Sequence, residues 1–367
     1  MTTISLAVIV KNEQRHIAAC LESVKPIVDE MVVVDTGSTD RTKEIAASMG
    51  AIVSDFPWSD DFAAARNAAI ERTKGDWILV LDADERLIAD YGAVLRDFIS
   101  GGQRIGRITI KSRFVQNGEE QIVQSAISRI FPRHVRFQGA IHEQLISELP
   151  RIDSGIVAFH EGYYETDKSE RNLRILEKEL QRRPDDAYLL FHIGKQYRGS
   201  GELSKAEQYF ERAYGLLSRV ASQSGHSHGS SVATYASDAV IDYLYVLLET
   251  KNFEQALNVI GNEQAQLQEL ADFHFVCGLI YMELAICFPQ DSGELLPLIE
   301  HSYLQALAAG EAGRGREIVQ GTGSYLAAYN LGVYYELLGN REAARSYYQM
   351  AVSAQYEPAL KRLEVLK

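Results

Sequence analysis

Short apolar, β-branched runs separated by helical stretches constrain the first half of this chain more than any other feature. The runs are Ile4–Val10, Glu30–Asp35 (EMVVVD), Ala51–Ser54 and Trp77–Leu81 (WILVL). A strand with water on one face alternates apolar and polar residues, so runs without alternation are buried on both faces. Between them lie helical patterns over Glu13–Val24, from Ser38-Thr39-Asp40 through Met49, and over Phe62–Thr73. This order predicts an α/β domain, a mostly parallel sheet flanked by helices. In such sheets ligands bind in the crevice beyond the carboxyl ends of the strands. Lys11-Asn12-Glu13, Asp35 and Asp82 stand at those ends. From Arg104 to His160 the pattern becomes shorter strands (RITIKSRFV, QSAISRIF, VAFH), which predicts a mixed sheet edge closing over one side of the crevice.

After Asp167 the period turns helical and stays so. Leu173, Leu176 and Leu180 mark one face of a connecting helix that stops before Pro184. Leu190, Gly194, Tyr197, Ala206, Phe210 and Ala213 then follow the tetratricopeptide pattern, in which small residues let two helices approach and aromatics fill the gaps. Gly332, Tyr335, Ala344, Tyr348 and Ala351, beside Leu331, repeat it near the end. Tyr243, Leu247, Ala256 and Ile260 form a weaker copy. A fourth, around Cys277, Gly278 and Tyr281, shows only its first helix. The expected domains are therefore 1–165 (α/β), 166–186 (connecting helix) and 187–367 (all-α repeats). A plain helical bundle is the competing reading of the last.

Composition narrows the function classes. A net charge of −13 argues against a protein that coats nucleic acid, because phosphate binding needs concentrated Lys and Arg. The three cysteines, Cys20, Cys277 and Cys287, are too few and too scattered for a disulfide framework, which predicts a reducing compartment. The N-terminal MTTISLAVIVKNE has no basic leader, and its apolar run ends at Lys11. Phe273 to Phe288 is interrupted by Glu283 and is too short to span a bilayer. The expectation is a cytoplasmic protein that does not span a membrane.

The chemistry concentrates at Asp82-Ala83-Asp84, directly after WILVL. Two carboxylates on alternate residues are costly to hold together unless a cation or a basic partner neutralises them. Hard oxygen ligands suit Mg²⁺ or Mn²⁺, which keep open positions for phosphate oxygens. Asp35, in the run DTGSTD, is placed to accept from a base N–H or a ribose hydroxyl. Ser38 or Asp40 of that run caps the next helix in the plainer reading. Arg66-Asn67 lies in an Ala-rich helix (FAAARNAAI), where the arginine makes either a structural ion pair or a ligand contact. His226 and His228 in SQSGHSHGSS are a metal pair or part of a solvated loop. Lys168 and Arg171 are a lid over a bound anionic ligand or surface charge.

VIVKNE (Val8–Glu13), VVVDTGSTDRT (Val32–Thr42), FAAARNAAIERTKGDWILVLDADE (Phe62–Glu85) and GAIHE (Gly139–Glu143) together resemble family 2 glycosyltransferases of the GT-A fold. They are similar in particular to the branch with C-terminal tetratricopeptide-like repeats, which includes bacteriocin S-glycosyltransferases. The resemblance implies a nucleotide-sugar donor, usually UDP-linked (UDP-glucose or UDP-N-acetylglucosamine), Mn²⁺ or Mg²⁺, and inversion by direct displacement. By matching position it places Asn12 and Glu13 at the nucleoside, Asp35 at the base, and Arg66 at the uridine pocket or diphosphate. It places Asp82 at ribose or metal, Asp84 as principal metal ligand, and His160, followed by Gly162-Tyr163, as a late metal or diphosphate ligand.

Many family members carry an acidic pair as catalytic base, and none is evident here. Glu143 and His142 are the candidates, with a structural or acceptor-holding role as the alternative. The implied acceptor is a peptide or protein side chain held partly by the repeats, which otherwise form a homodimer interface. Transfer to a polysaccharide or lipid-linked glycan, and a catalytically dead transferase-repeat scaffold, are the other readings. A sugar nucleotidyltransferase would need a Gly-rich phosphate loop after the first strand, and Val10-Lys11-Asn12-Glu13 contains no glycine. The assignment fails if the two aspartates of DAD point away from the crevice or pair with basic side chains so that no ion can enter.

Overall fold

The computed structural model describes residues 2–116, 119–160, 169–223, 231–311 and 318–366. Gly162-Tyr163, Lys168, His226 and His228 lie outside them. The chain forms two compact units, Met1–Glu179 and Leu180–Lys367.

In the first unit β1 (Ile4–Val10), β2 (Glu30–Asp35), β3 (Ile52–Asp55) and β4 (Trp77–Val80) run parallel in the order β3-β2-β1-β4. The helices between them are α1 (Ile17–Val24), α2 (Thr42–Ser48) and α3 (Phe62–Arg72). A further helix, α4 (Gly92–Ser100), follows β4 and the short β5 (Glu85–Leu87). Successive residues of one strand enter opposite cores. Ile4, Leu6 and Val8 of β1 pack with Ile17, Leu21 and Val24 of α1 and with Leu95 and Phe98 of α4. Ala7, on the other face, packs with Ala63, Ala69 and Ile70 of α3 and with Ile78 and Val80 of β4. Double-sided burial is why these strands carry no polar alternation. α1 begins later than its periodicity suggests, because residues 13–16 form a turn whose donors engage the next loop: Gln14 N–H donates to Asp40 Oδ2 at 3.2 Å.

The region after Arg104 departs from expectation. β6 (Ile105–Gln116) and β7 (Glu119–Pro132) are long, 12 and 14 residues, and they extend the sheet. β7 pairs antiparallel with β4, placing Ile130 opposite Leu79. β6 pairs antiparallel with β7, β10 (Arg151–His160) runs parallel to β6, and β5 closes the edge antiparallel to β10. A separate ribbon joins β8 (Arg136–Gln138) and β9 (Gln144–Ile146). The sheet is therefore mixed, parallel about β1 and antiparallel where β7 joins β4. In β6, Ile108 and Ile110 are buried while Arg107, Thr109 and Lys111 are partly exposed. This alternation marks a strand covered on one face, and the search for apolar runs truncated it.

A helix, α5 (Ser169–Arg182), follows, with Leu176 buried and Leu173 and Leu180 partly buried. The second unit is built from consecutive helix pairs: α6 (Ala187–Gly199) with α7 (Leu203–Gln223), α8 (Ser231–Glu249) with α9 (Phe253–Leu267), α10 (Ala271–Cys287) with α11 (Ser292–Ala309), and α12 (Tyr325–Leu337) with α13 (Arg341–Ser353). α14 (Glu357–Val365) follows the last pair. Within three pairs a glycine faces an aromatic ring. A Cβ at Gly194 would lie 2.9 Å from Phe210, at Gly278 2.6 Å from Tyr303, and at Gly332 2.5 Å from Tyr348. The third pair was legible only in its first helix because α10 runs to 17 residues and a 3-10 turn, Pro289–Asp291, delays α11. The ring that meets Gly278 therefore falls out of step with the other copies.

Tyr348 is fully buried and its hydroxyl donates to Glu336 Oε2 at 2.6 Å, so the ring has little room to retreat. Gly332→Ala is expected to lower unfolding stability by about 1–3 kcal/mol through overpacking. Gly215→Ala, where no atom lies within 4 Å of the added Cβ, is expected to be neutral or slightly stabilising. Chemical denaturation of the two variants checks the contrast.

Candidate active site

The loops after β1 and β2 are joined by side-chain-to-backbone bonds. Asn12 has the left-handed φ of 57°. Its N–H donates to Ser38 Oγ at 2.9 Å, and its Oδ1 accepts from Thr39 N–H at 2.8 Å. Glu13 N–H donates to Thr42 Oγ1 at 2.8 Å. Ser38 thus serves the loop, whereas Asp40 Oδ1 accepts from the N–H of Thr42, the first residue of α2, at 3.0 Å. Beneath them Asp35 is 1% exposed. Its Oδ1 accepts from Gly37 N–H at 2.9 Å and Ser38 N–H at 2.7 Å, in a turn that Gly37 permits with φ of 113°. Its Oδ2 is buried and has no hydrogen-bond partner among the described residues. A buried carboxylate oxygen without a donor is costly, which makes it a ready acceptor for an incoming N–H or O–H.

At the end of β4, Leu81-Asp82-Ala83-Asp84 turns into β5. Arg66 of α3 donates from Nη2 to Asp82 Oδ1 at 2.7 Å and from Nε to Glu143. Arg129 of β7 donates from Nη2 both to Asp82 Oδ2 and to Glu85 Oε1, each at 2.8 Å. Glu85 Oε2 in turn accepts from Asp82 N–H at 2.9 Å. Burial alone would raise the Asp82 pKa, but the charges of Arg129 and Arg66 outweigh it and hold the carboxyl well below the usual range. Glu85, 4% exposed, is pushed up to about 7 by its burial, with Asp82 and Asp84 adding to the effect and Arg129 opposing it. Behind the turn, Cys20 Sγ lies 3.5 Å from the carbonyl oxygen of Asp82, and burial first, then Glu85, raises its thiol pKa.

Asp84, 7% exposed, has its Oδ2 3.2 Å from His160 Nε2 at the end of β10. Ser112 Oγ lies 3.3 Å from His160 Nδ1. Burial opposes protonation of this imidazole, yet the hydrogen bond and charge of Asp84 raise its pKa.

Glu143 and His142 sit in the turn 139–143 between β8 and β9, where Gly139 has φ of 105° and His142 φ of 50°. Three hydrogen bonds fix this turn and the adjoining β8 to α3. Ala140 O accepts from Phe62 N–H at 2.8 Å. The Asn67 amide exchanges a pair of 2.9 Å bonds with the backbone N–H and C=O of Phe137. Arg66 also lies over the Phe137 ring, 5.6 Å from its centroid. Arg171 of α5 lies over Phe62 at 5.1 Å, which ties it to the start of α3.

The structure thus groups the sequence candidates in two clusters at one end of the sheet. Asn12, Glu13 and Asp35 belong to the first; Arg66, Asp82 and Glu143 share one ion-pair network, with Asp84 and His160 beside it. Sequence reasoning passed over Arg129 and left Glu85 without a role. The available signal was a charged residue flanked by Ile127, Ile130 and Phe131, where an arginine needs a buried partner.

Among the described residues no three His, Cys, Asp or Glu side chains form a closed metal cage. The donor set nevertheless fits an open divalent site. Three carboxylates (Asp82, Glu85, Glu143) share two guanidiniums, and a fourth, Asp84, faces His160, so carboxylates outnumber guanidiniums around the turn. Mg²⁺ and similar ions are commonly held by one or two protein ligands, with substrate phosphates completing the shell. Asp84 and His160 would be those ligands, with Ser112 orienting the imidazole.

Residues 5–124 match the family profile "Glycosyl transferase family 2". A TPR repeat-containing protein of Synechococcus elongatus is 36% identical over 230 residues, which cover 58% of this chain and 56% of that protein. The SPbeta prophage-derived glycosyltransferase SunS of Bacillus subtilis is 27% identical over 230 residues, 58% of this chain and 53% of that protein. An uncharacterized glycosyltransferase of Rickettsia felis is 46% identical over 87 residues, 24% of this chain and 30% of that protein. The chain spans about half the length of the first two relatives. The parallel strands, the DAD turn and the profile match coincide, and the first unit of this chain carries a glycosyl transferase family 2 domain.

Proposed function

We propose that the chain transfers one sugar from a nucleotide-sugar, UDP-linked, to a peptide or protein side chain, with inversion and with Mn²⁺ or Mg²⁺. The observation that carries this reading is the Asp84–His160 pair at 3.2 Å, at the carboxyl end of β4 in the matched domain. A divalent ion held there supplies charge stabilisation to the departing diphosphate. Asp35 Oδ2 accepts from the base or ribose, and the Asn12–Ser38–Thr39 loops wall the nucleoside side. Arg66, with Nη1 buried and without a hydrogen-bond partner among the described residues, has a donor left for the nucleotide. The turn 139–143 presents His142 and Glu143 to the acceptor, and Glu143 is the group assigned to take its proton, oriented by Arg66.

The second unit supports a polypeptide acceptor, since helical-repeat arrays offer extended surfaces for peptides. No single helix among the described residues is long and apolar enough to cross a membrane, and the cysteines Cys20, Cys277 and Cys287 are free.

UDP is expected to raise the melting temperature of the full chain, and to raise it further when Mn²⁺ is present. Asp84→Ala should abolish the metal-dependent part alone; an unchanged metal response in that variant removes Asp84 from the ligand set. Glu143→Gln, assayed by mass spectrometry of the acceptor, is expected to lower turnover by about 10²–10⁴-fold while UDP affinity stays within a few fold. Near-normal turnover would eliminate Glu143 as base.

A further inference from the structure

We infer that Arg129 is a positioning residue for the cation site, acting by closing the Asp82–Glu85 turn so that Asp84 faces His160. The inference rests on the transferase reading above and assigns a residue that reading does not use. Three observations carry it.

Arg129 reaches the turn from a different strand. Its one nitrogen, Nη2, bonds Asp82 Oδ2 and Glu85 Oε1 at 2.8 Å each, while Glu85 Oε2 takes the Asp82 N–H. The result is a closed ring of bonds across the two ends of the four-residue segment 82–85, with Asp84 inside it. Second, both Asp82 oxygens are occupied by guanidiniums, Oδ1 by Arg66 and Oδ2 by Arg129. Asp82 is 35% exposed at its side chain and would otherwise be the carboxylate most open to a cation; the clamp diverts it and leaves Asp84 as the oxygen donor opposite His160. Third, Arg129 is 5% exposed and its Nε is buried without a hydrogen-bond partner among the described residues. Its contacts thus run to Asp82 and Glu85 through Nη2 and not along its whole fork. A buried guanidinium with an unmet donor is an unfavourable way to gain stability alone, as buried ion pairs seldom repay their desolvation. Holding a ligand in register is the role that this arrangement serves.

The test titrates Mn²⁺ into the full chain at fixed UDP and reads the Mn²⁺ concentration at half of the melting-temperature rise. Arg129→Gln is expected to raise that concentration about 10–100-fold, the usual cost of removing a group that orients a metal ligand. Arg129→Lys, which keeps the charge and one donor centre, should fall between it and the parent. In steady state, excess Mn²⁺ should restore most of kcat in Arg129→Gln, which a merely structural defect would not allow. A parent-like half-point in a folded Arg129→Gln overturns the inference and leaves the transferase reading intact. A parent chain whose UDP-bound melting temperature ignores Mn²⁺ overturns both. If Arg129→Gln does not fold, Glu85→Gln opens the same ring from its other side. The same rise is then expected, and its absence is decisive against the role.

Discussion

An excess of buried carboxylate over guanidinium is the constraint around which the first unit is arranged. Asp82, Glu85 and Glu143 share Arg66 and Arg129 while Asp84 faces His160, and desolvation makes every unpaired charge among them expensive. The sheet topology makes this tolerable. β4 delivers Asp82 and Asp84 at its carboxyl end, β7 brings Arg129 alongside as its antiparallel neighbour, and α3 brings Arg66 across the other face. The turn 139–143 is tied to α3 through Ala140 and Asn67, so the fourth carboxylate arrives with its guanidinium already placed. A divalent ion beside Asp84 would relieve the remaining charge, which is how electrostatics and the proposed chemistry coincide.

Much of this was readable from residues alone, and the gaps have physical causes. The four parallel strands were visible because double-sided burial removes polar alternation, and Asp82-Ala83-Asp84 stood out because a carboxylate pair after such a strand needs a partner. Of the two readings open for Arg66, ion pair or ligand contact, the structure displays the ion pair and leaves Nη1 available. Arg129 was hidden because Ile127 beside it is exposed and the buried stretch Arg129–Pro132 is short; the pairing of β7 with β4 reveals its burial. β6 was cut short because it alternates. The helix pair α10–α11 escaped because sequence spacing, not chemistry, had changed: Gly278 still meets an aromatic ring, Tyr303, across a longer connection.

The second unit obeys a different economy. Its helix pairs approach through Gly194, Gly278 and Gly332, each against one ring, and Phe210 stacks in turn on Tyr243 of the next pair at 6.3 Å and 17°. Contacts of this kind are made between neighbours, so stability accrues pair by pair and does not depend on a distant closing strand. In the first unit, by contrast, β7 must return past β6 before Arg129 can meet Asp82.

The left-handed backbone at Asn12 has one more implication. Its amide and side chain lace the two crevice loops together through Ser38 and Thr39, so those segments are tied to each other by the chain's own bonds and would need little rearrangement on the proposed donor binding. Little chain entropy is then left to surrender on association, so more of the interaction free energy appears as affinity for the donor. On the proposed reading, selectivity at that end of the crevice would be a matter of steric and hydrogen-bond fit to this laced rim.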